Sequence, residues 1–254
     1  MEQHPLDKTK KIIAKKNSFQ FKCHPGVSCF LACCSNVDLL LYPYDILRLK
    51  ITLGLHSADF LNQYVRVCEG SHPYFPGLKL RLLETYGNPC PFLGKKGCGV
   101  YADRPSACRT YPLERAVERK GNSTLLSSVY FLTQHPWCHG HNEINSYTLD
   151  KWEREQDLHE WNLQNEHWAE IDAFFASNPW SGEGKAGPMQ QLAFMVCYNI
   201  DAFRQYTRTH CLLDGYVLTK LERRKIETDD SLLLVFGYKW LETILGGRNR
   251  LIAK

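Results

Sequence analysis

The sequence predicts an α+β fold, mostly helical, with an irregular cysteine-rich metal-binding N-terminal half that holds short strands and a helical C-terminal half. Three observations predict it. Residues 21–36 and 87–112 are crowded with Cys, Gly and Pro and show little periodicity. Residues 78–83 and 125–132 read as short strands. From Thr148 onward, long stretches carry apolar residues at helical spacing.

Taken in order, residues 1–20 read as a basic, flexible tail, with Lys8, Lys10, Lys11, Lys15 and Lys16 solvated. Residues 37–41 read as a short strand. Pro43 suits a first helical turn, and residues 44–53 carry helical spacing up to Gly54, which is placed to cap the end. Ser57 is the expected N-cap of a helix over 58–67. Two glycines and two prolines mark 69–77 as a loop. Residues 150–175, rich in Trp, Glu, Gln and Leu, predict one or two amphipathic helices. Residues 178–188 form a linker or loop, 189–206 a helix, and 232–245 another that Gly246 and Gly247 stop. The expected organisation is a tail (1–20), a cysteine-cluster metal-binding region (21–147) and a helical region packed on it (148–254).

The 254 residues are 44% apolar and 23% charged, the balance of an ordinary globular protein. A formal charge of +4 is too mild to imply nucleic acid. The first residues lack the apolar core of a signal peptide, and no run approaches the ~18 apolar residues of a membrane helix, so the expected localisation is cytoplasmic. Against that background eleven cysteines are the anomaly. In a reducing compartment they point to metal binding or thiol chemistry rather than disulfides, and an odd number cannot pair completely.

Eight of the cysteines fall in turn-rich sequence: Cys23, Cys29, Cys33 and Cys34, spaced C-x5-C-x3-C-C, then Cys90, Cys98, Cys108 and Cys138. Thiolates bind zinc and iron strongly, and short spacings let one segment present several sulfurs. Nearby Gly and Pro hold backbone N–H groups free to face sulfur. A zinc with four thiolates, or an oxidised four-iron four-sulfur (4Fe–4S) cluster with four cysteines, carries a net charge of about −2. Arg104 and Arg109, flanking Cys108, are placed to offset it. Neighbouring side chains diverge, so Cys33 and Cys34 serve one small ion poorly. Eight ligands divided between two four-cysteine sites resolve that conflict, as in two-cluster ferredoxins. The irregular spacing favours iron–sulfur over zinc without excluding it. Cys68, Cys197 and Cys211 have apolar, helical surroundings and read as core residues.

At these residues the chain resembles the YkgJ-type cysteine-cluster family, a zinc- or iron-chelating domain family whose motif is written CxxCxxCC. The resemblance lies in Phe21-Lys22-Cys23 through Cys33-Cys34, Tyr42-Pro43-Tyr44-Asp45-Ile46-Leu47-Arg48-Leu49, Cys90-Pro91-Phe92-Leu93, Cys98-Gly99-Val100-Tyr101, and Arg104-Pro105 through Cys108-Arg109-Thr110-Tyr111-Pro112. The first gap is longer here than in the motif, and the second is three residues. The flagellin lysine N-methylases look similar in their cysteine motif, which there implies an iron–sulfur cluster; nothing here matches methyl-donor binding, so that activity is not carried over.

His24, His135, His139 and His141 lie beside cluster cysteines as further candidate ligands or hydrogen-bond partners. Asp38, Asp45 and Asp103 read as capping or surface groups. No GxGxxG, Walker loop, HExxH or GxSxG occurs. Trp152, Trp161, Trp168, Phe174 and Phe175 form an aromatic stripe expected to cover the cysteine region. Three readings follow: a metal-binding cysteine-cluster protein holding one or two iron–sulfur clusters or zinc ions, an enzyme using such a centre on a protein or small molecule, and a zinc-stapled interaction module. The expected partners are the metal and, in the last two readings, another protein.

Overall fold

The computed structural model describes residues 11–13, 17–119 and 126–254. In chain order these give β1 (Lys11–Ile13), β2 (Ser18–Gln20), α1 (Pro43–Thr52), α2 (Ser57–Tyr64), β3 (Val65–Cys68), β4 (Gly77–Leu80), β5 (Leu93–Gly94), β6 (Gly97–Cys98), α3 (Ser106–Thr110), β7 (Leu113–Arg119), β8 (Leu126–Leu132), β9 (Ser146–Thr148), α4 (Leu149–Glu155) and α5 (Leu158–Phe175). They continue with α6 (Pro188–Tyr198), α7 (Ile200–Thr209), α8 (Lys220–Thr228) and α9 (Asp230–Ile244). The α+β, mostly helical class predicted from the sequence is the class observed. No helix among the described residues is long and apolar enough to cross a membrane.

The chain divides into two compact units, each built from separated stretches. The first takes the described part of Met1–Val37 together with Leu83–Gly99 and Arg104–Asn162. Its sheet has the antiparallel order β1-β8-β7, with Ile12 opposite Phe131 and Leu113 opposite Leu132. A second ribbon pairs β2 with β9, Phe19 facing Tyr147. The core collects Ile13, Phe19, Phe21, Leu113, Tyr130, Leu132, Leu149, Trp152 and Leu158. Trp152 meets Phe19 and Phe21 edge-on at ring distances of 5.7 Å each, and its Nε1–H donates to the Thr110 carbonyl at 3.0 Å. A buried indole thus keeps its one donor satisfied. Thr148 caps α4, its hydroxyl accepting from the Lys151 N–H.

The second unit comprises Asp38–Leu82, Val100–Asp103 and Leu163–Lys254. Pro43 opens α1, and the fully buried Asp45 carboxylate accepts the Tyr42 N–H at 3.0 Å. Phe75, Trp168, Phe175, Trp180 and Tyr198 form an aromatic centre, with Phe75 and Phe175 rings 4.6 Å apart. The stripe expected as one cover is therefore shared out: Trp152 and Trp161 belong to the first unit, Trp168 and Phe175 to the core of the second.

Several elements differ from the sequence reading. Residues 37–41 make only one bridge, Leu40 opposite Lys79, because the chain turns into α1 at once. The helix expected over 58–67 stops at Tyr64; β-branched Val65 and Val67 enter β3 instead. Ser57 is the first helical residue rather than the cap, His56 holding that position. The helix expected over 189–206 is two, because Asn199 leaves helical geometry and caps α7 through the Ala202 N–H. Within 1–20, Lys11–Ile13 and Ser18–Gln20 are strands, while Lys8, Lys10, Lys15 and Lys16 lie outside the described residues. Cys197 is buried as expected, but Cys68 is half-buried on a strand and Cys211 is exposed.

Candidate metal centre

All eight singled-out cysteines lie in the first unit, and none of the chain's eleven is in a disulfide. The segment carrying the first four is wound into successive tight turns, Val27 N–H to His24 O, Phe30 to Val27, Ala32 to Cys29 and Cys34 to Leu31. Leu31 takes a left-handed backbone (φ 69°) and opens a 3₁₀ turn over Ala32–Cys34. A leucine there costs about 1–2 kcal/mol, which the surrounding turns must offset. In a 3₁₀ turn successive side chains diverge by about 120°. Cys33 and Cys34 are thereby set to diverge from the backbone, although their thiols stay within hydrogen-bond reach of each other.

Two sets of backbone bonds gather the other cysteines around this turn. Lys22 N–H donates to Gly140 O at 2.9 Å, laying the Cys23 segment beside the Cys138 segment. Gly140 permits that approach: an added Cβ would meet Lys22 O at 2.9 Å and the Phe21 ring at 2.8 Å. The His139 N–H donates to Cys29 Sγ at 3.1 Å, and the His139 ring meets Ser28 Oγ at 2.6 Å. On the other side, Cys90 N–H donates to Cys34 O at 2.7 Å, and Asn36 N–H to Asn88 O at 3.1 Å. The tight β5–β6 hairpin sets Cys98 opposite Leu93, and Leu93 N–H returns to Cys90 O at 3.0 Å.

The electrostatics follow the same division. Burial, then Cys33, Cys29 and Cys138, push the Cys23 thiol up to about 11. Cys34 is held protonated by its hydrogen bond to Cys33, by burial, and by Cys90 and Cys108 nearby. That bond in turn pulls Cys33 down to about 7. Burial raises Cys90, with Cys98 and Cys33 adding to it, while the Phe92 N–H directed at its sulfur works the other way. Cys23 thus feels Cys33, Cys29 and Cys138, Cys34 feels Cys33, Cys90 and Cys108, and Cys90 feels Cys98 and Cys33. Cys23, Cys33 and Cys108 are exposed and the other five half-buried.

Among the described residues, no three His, Cys, Asp or Glu side chains converge closely enough to hold one ion. Sulfurs around a tetrahedral zinc would be about 3.8 Å apart, from a Zn–S bond of ~2.3 Å. The donor chemistry nonetheless suits a soft metal: thiols outside any disulfide, N–H groups aimed at sulfur, and mutual repulsion that a cation would relieve.

The histidines have other company. His24 accepts from Gly26 N–H and lies 3.3 Å from Glu143, and His135 stacks between Tyr111 and Trp137. His141 packs 5.2 Å from the Phe21 ring, and burial lowers its pKa. Arg104 and Arg109 are buried; Arg104 donates to Gln156 Oε1 at 2.6 Å, and Arg109 donates to Gln156 O at 2.8 Å with its guanidinium 3.8 Å over Trp161. Short helix α3 turns Arg109 inward and leaves Cys108 exposed. Asp38 pairs with Lys79 at 2.6 Å and Asp103 with Arg48 at 2.5 Å, both in the second unit. Tyr111, given no role by the sequence reading, has its hydroxyl beside the Cys138 thiol. Its place three residues after Cys108 was the available signal.

Residues 22–139 match the family model CxxCxxCC, described as "Putative zinc- or iron-chelating domain". The matched stretch contains all eight singled-out cysteines. Neither a curated protein nor a solved structure matches the chain.

Proposed function

Taking as premise that residues 22–139 form a domain of the CxxCxxCC, zinc- or iron-chelating family, we propose that this chain holds two metal centres. Cys23, Cys29, Cys33 and Cys138 ligate one; Cys34, Cys90, Cys98 and Cys108 ligate the other. The observation that supports the reading is the 3₁₀ turn at Ala32–Cys34, with Cys34 near Cys90 and Cys108 and Cys33 near Cys23 as well as Cys90. Metal binding would take the protons of all eight thiols and separate the Cys33–Cys34 hydrogen bond.

Iron–sulfur is favoured over zinc, since the spacings follow no zinc-ribbon pattern and a cluster spreads its ligands over several iron atoms. Such a centre, when bound, supplies one-electron exchange. The chain's own residues supply the rest. N–H groups of His139 and Phe92 face thiolate charge, and the buried cations of Arg104 and Arg109 lie in the same unit to offset it.

The test is metal analysis on anaerobically purified protein, wild type beside Cys33→Ser and Cys34→Ser. Two four-iron centres predict about eight iron and eight sulfide per chain, and two zinc sites about two zinc. Each single variant should keep about half, and the double variant almost none. One ion or one cluster per wild-type chain, or complete loss in either single variant, would refute the two-centre assignment.

A further inference from the structure

Among the buried polar groups of the first unit, the Tyr111 hydroxyl has no settled place. It is closed to solvent and completes no hydrogen bond of good geometry with any described residue. Such an atom needs a reason, because a buried hydroxyl that gives up water without a partner is costly. The ring is held on two sides. It meets Phe21 edge-on at 5.6 Å and lies parallel to His135 at 6.2 Å, with 5° between the planes. Phe21 lies two residues before Cys23, and the His135 carbonyl accepts the Cys138 N–H at 2.9 Å. Tyr111 is thus clamped by the two segments that carry Cys23 and Cys138.

We infer that Tyr111 is a positioning residue for the centre formed by Cys23, Cys29, Cys33 and Cys138, its hydroxyl donating a hydrogen bond to the Cys138 sulfur once that sulfur is a metal-bound thiolate. The inference rests on the two-centre reading and adds to it a group outside the ligand set. A neutral thiol is a weak acceptor, whereas a thiolate accepts strongly. The unfinished bond in the metal-free chain is what this chemistry requires. A tyrosine phenol ordinarily titrates near ~10, so at neutral pH it keeps its proton and is a donor. Hydrogen bonds to ligating sulfur stabilise its charge and raise the reduction potential of an iron–sulfur centre.

The experiment is Tyr111→Phe, which keeps both ring contacts and removes one oxygen. Metal loss to an excess of EDTA is followed by the decay of the thiolate-to-metal charge-transfer absorption, on anaerobically purified wild type and variant. Loss from the Cys138 centre should become about 10-fold faster or more. An iron-loaded variant should also reduce at a more negative potential. The metal-free chain should unfold at the same temperature or slightly higher, since the hydroxyl removed is unsatisfied there, whereas loss of a purely structural tyrosine hydroxyl would lower it. Equal loss rates with unshifted absorption overturn the inference and leave the two-centre reading intact. A phenolate-to-iron absorption band that vanishes in the variant overturns it in favour of Tyr111 as a direct ligand. A wild-type chain without metal sinks both.

Discussion

Replacing Asp201 with asparagine takes one negative charge from a polar knot that ties three helices of the second unit. Asp201, in the first turn of α7, accepts Lys50 Nζ of α1 at 2.9 and 3.1 Å. Its Oδ2 also accepts the Ser57 N–H at 2.7 Å and the Ser57 hydroxyl at 2.8 Å, where α2 begins. Ser57 is fully buried and Lys50 is 7% exposed, so neither finds water when the carboxylate goes. Breaking a buried ion pair costs about 3–5 kcal/mol, and a hydrogen bond to a charged group is worth about 1.5–3. Two features lower the expectation. The Asp201 side chain is 25% exposed, and Lys50 keeps Asp230 at 3.4 Å. Asparagine also keeps one acceptor oxygen. The expected loss is therefore ~1.5–3 kcal/mol at pH 7.

The pH dependence carries a sign. Burial raises the Asp201 carboxyl, but the Lys50 ammonium and the Ser57 donors outweigh it and hold the folded value below the ordinary one. An unfolded Asp titrates near ~3.9. The stabilisation is complete above that value and is lost as pH falls through the lowered folded pKa. His56, 3.7 Å from Asp201, is largely exposed and adds little. Urea unfolding of both proteins at pH 7 and pH 2.5, with chelator throughout to remove metal linkage, should give a wide gap at pH 7 and a narrow one at pH 2.5. A loss below about 0.5 kcal/mol, or one equal at both pH values, would refute the reasoning.

Two further outcomes follow from the packing of α9 and the chemistry of the cysteine turn. At Gly237 of α9 an added Cβ would meet Val196 Cγ1 at 2.5 Å and Phe203 Cε1 at 2.8 Å. Gly237→Ala should therefore destabilise by about 1–2 kcal/mol in a urea midpoint despite the helix propensity it gains; a more stable variant would show that α6 and α7 yield easily. In metal-free protein at pH 7.5, iodoacetamide should modify Cys33, pulled down to about 7, some tens of times faster than Cys23, pushed up to about 11, the lower nucleophilicity of the more acidic thiol included. Peptide mapping that finds equal rates would count against the Cys33–Cys34 hydrogen bond.

What could be read from the sequence was what local chemistry determines. Pro43 before an apolar helical pattern gave α1, and Leu232 to Leu245 with Gly246 behind gave α9, which ends with Gly246 at φ 78°. Helix α8 went unread because its residues are almost all polar, with Ile226 alone buried, although Thr219 and Glu222 form a capping box visible in the sequence. The candidate ligands could be recognised as a set from their turn-rich surroundings. Which of these cysteine segments come together is not local information, because it depends on bonds between residues far apart in the chain, Lys22 to Gly140 and Cys34 to Cys90. Cys211 shows the converse: an apolar neighbourhood in sequence did not secure burial, since the residue sits at the left-handed start of a 3₁₀ turn.

The interleaving of the two units limits how the molecule can be cut. The stretch between Cys34 and Cys90 consists mostly of Asp38–Leu82, which folds with Leu163–Lys254, and the cysteine unit closes with Leu149, Trp152 and Leu158, all beyond residue 139. A fragment trimmed to 22–139 would lose β1, β2 and β9 along with that closing core, and would strand α1 and α2 without the helices that cover them. The shortest piece that carries all eight cysteines thus lacks the closing core of one unit and the helical partners of the other, and dissection of this chain belongs to point substitution rather than to scissors.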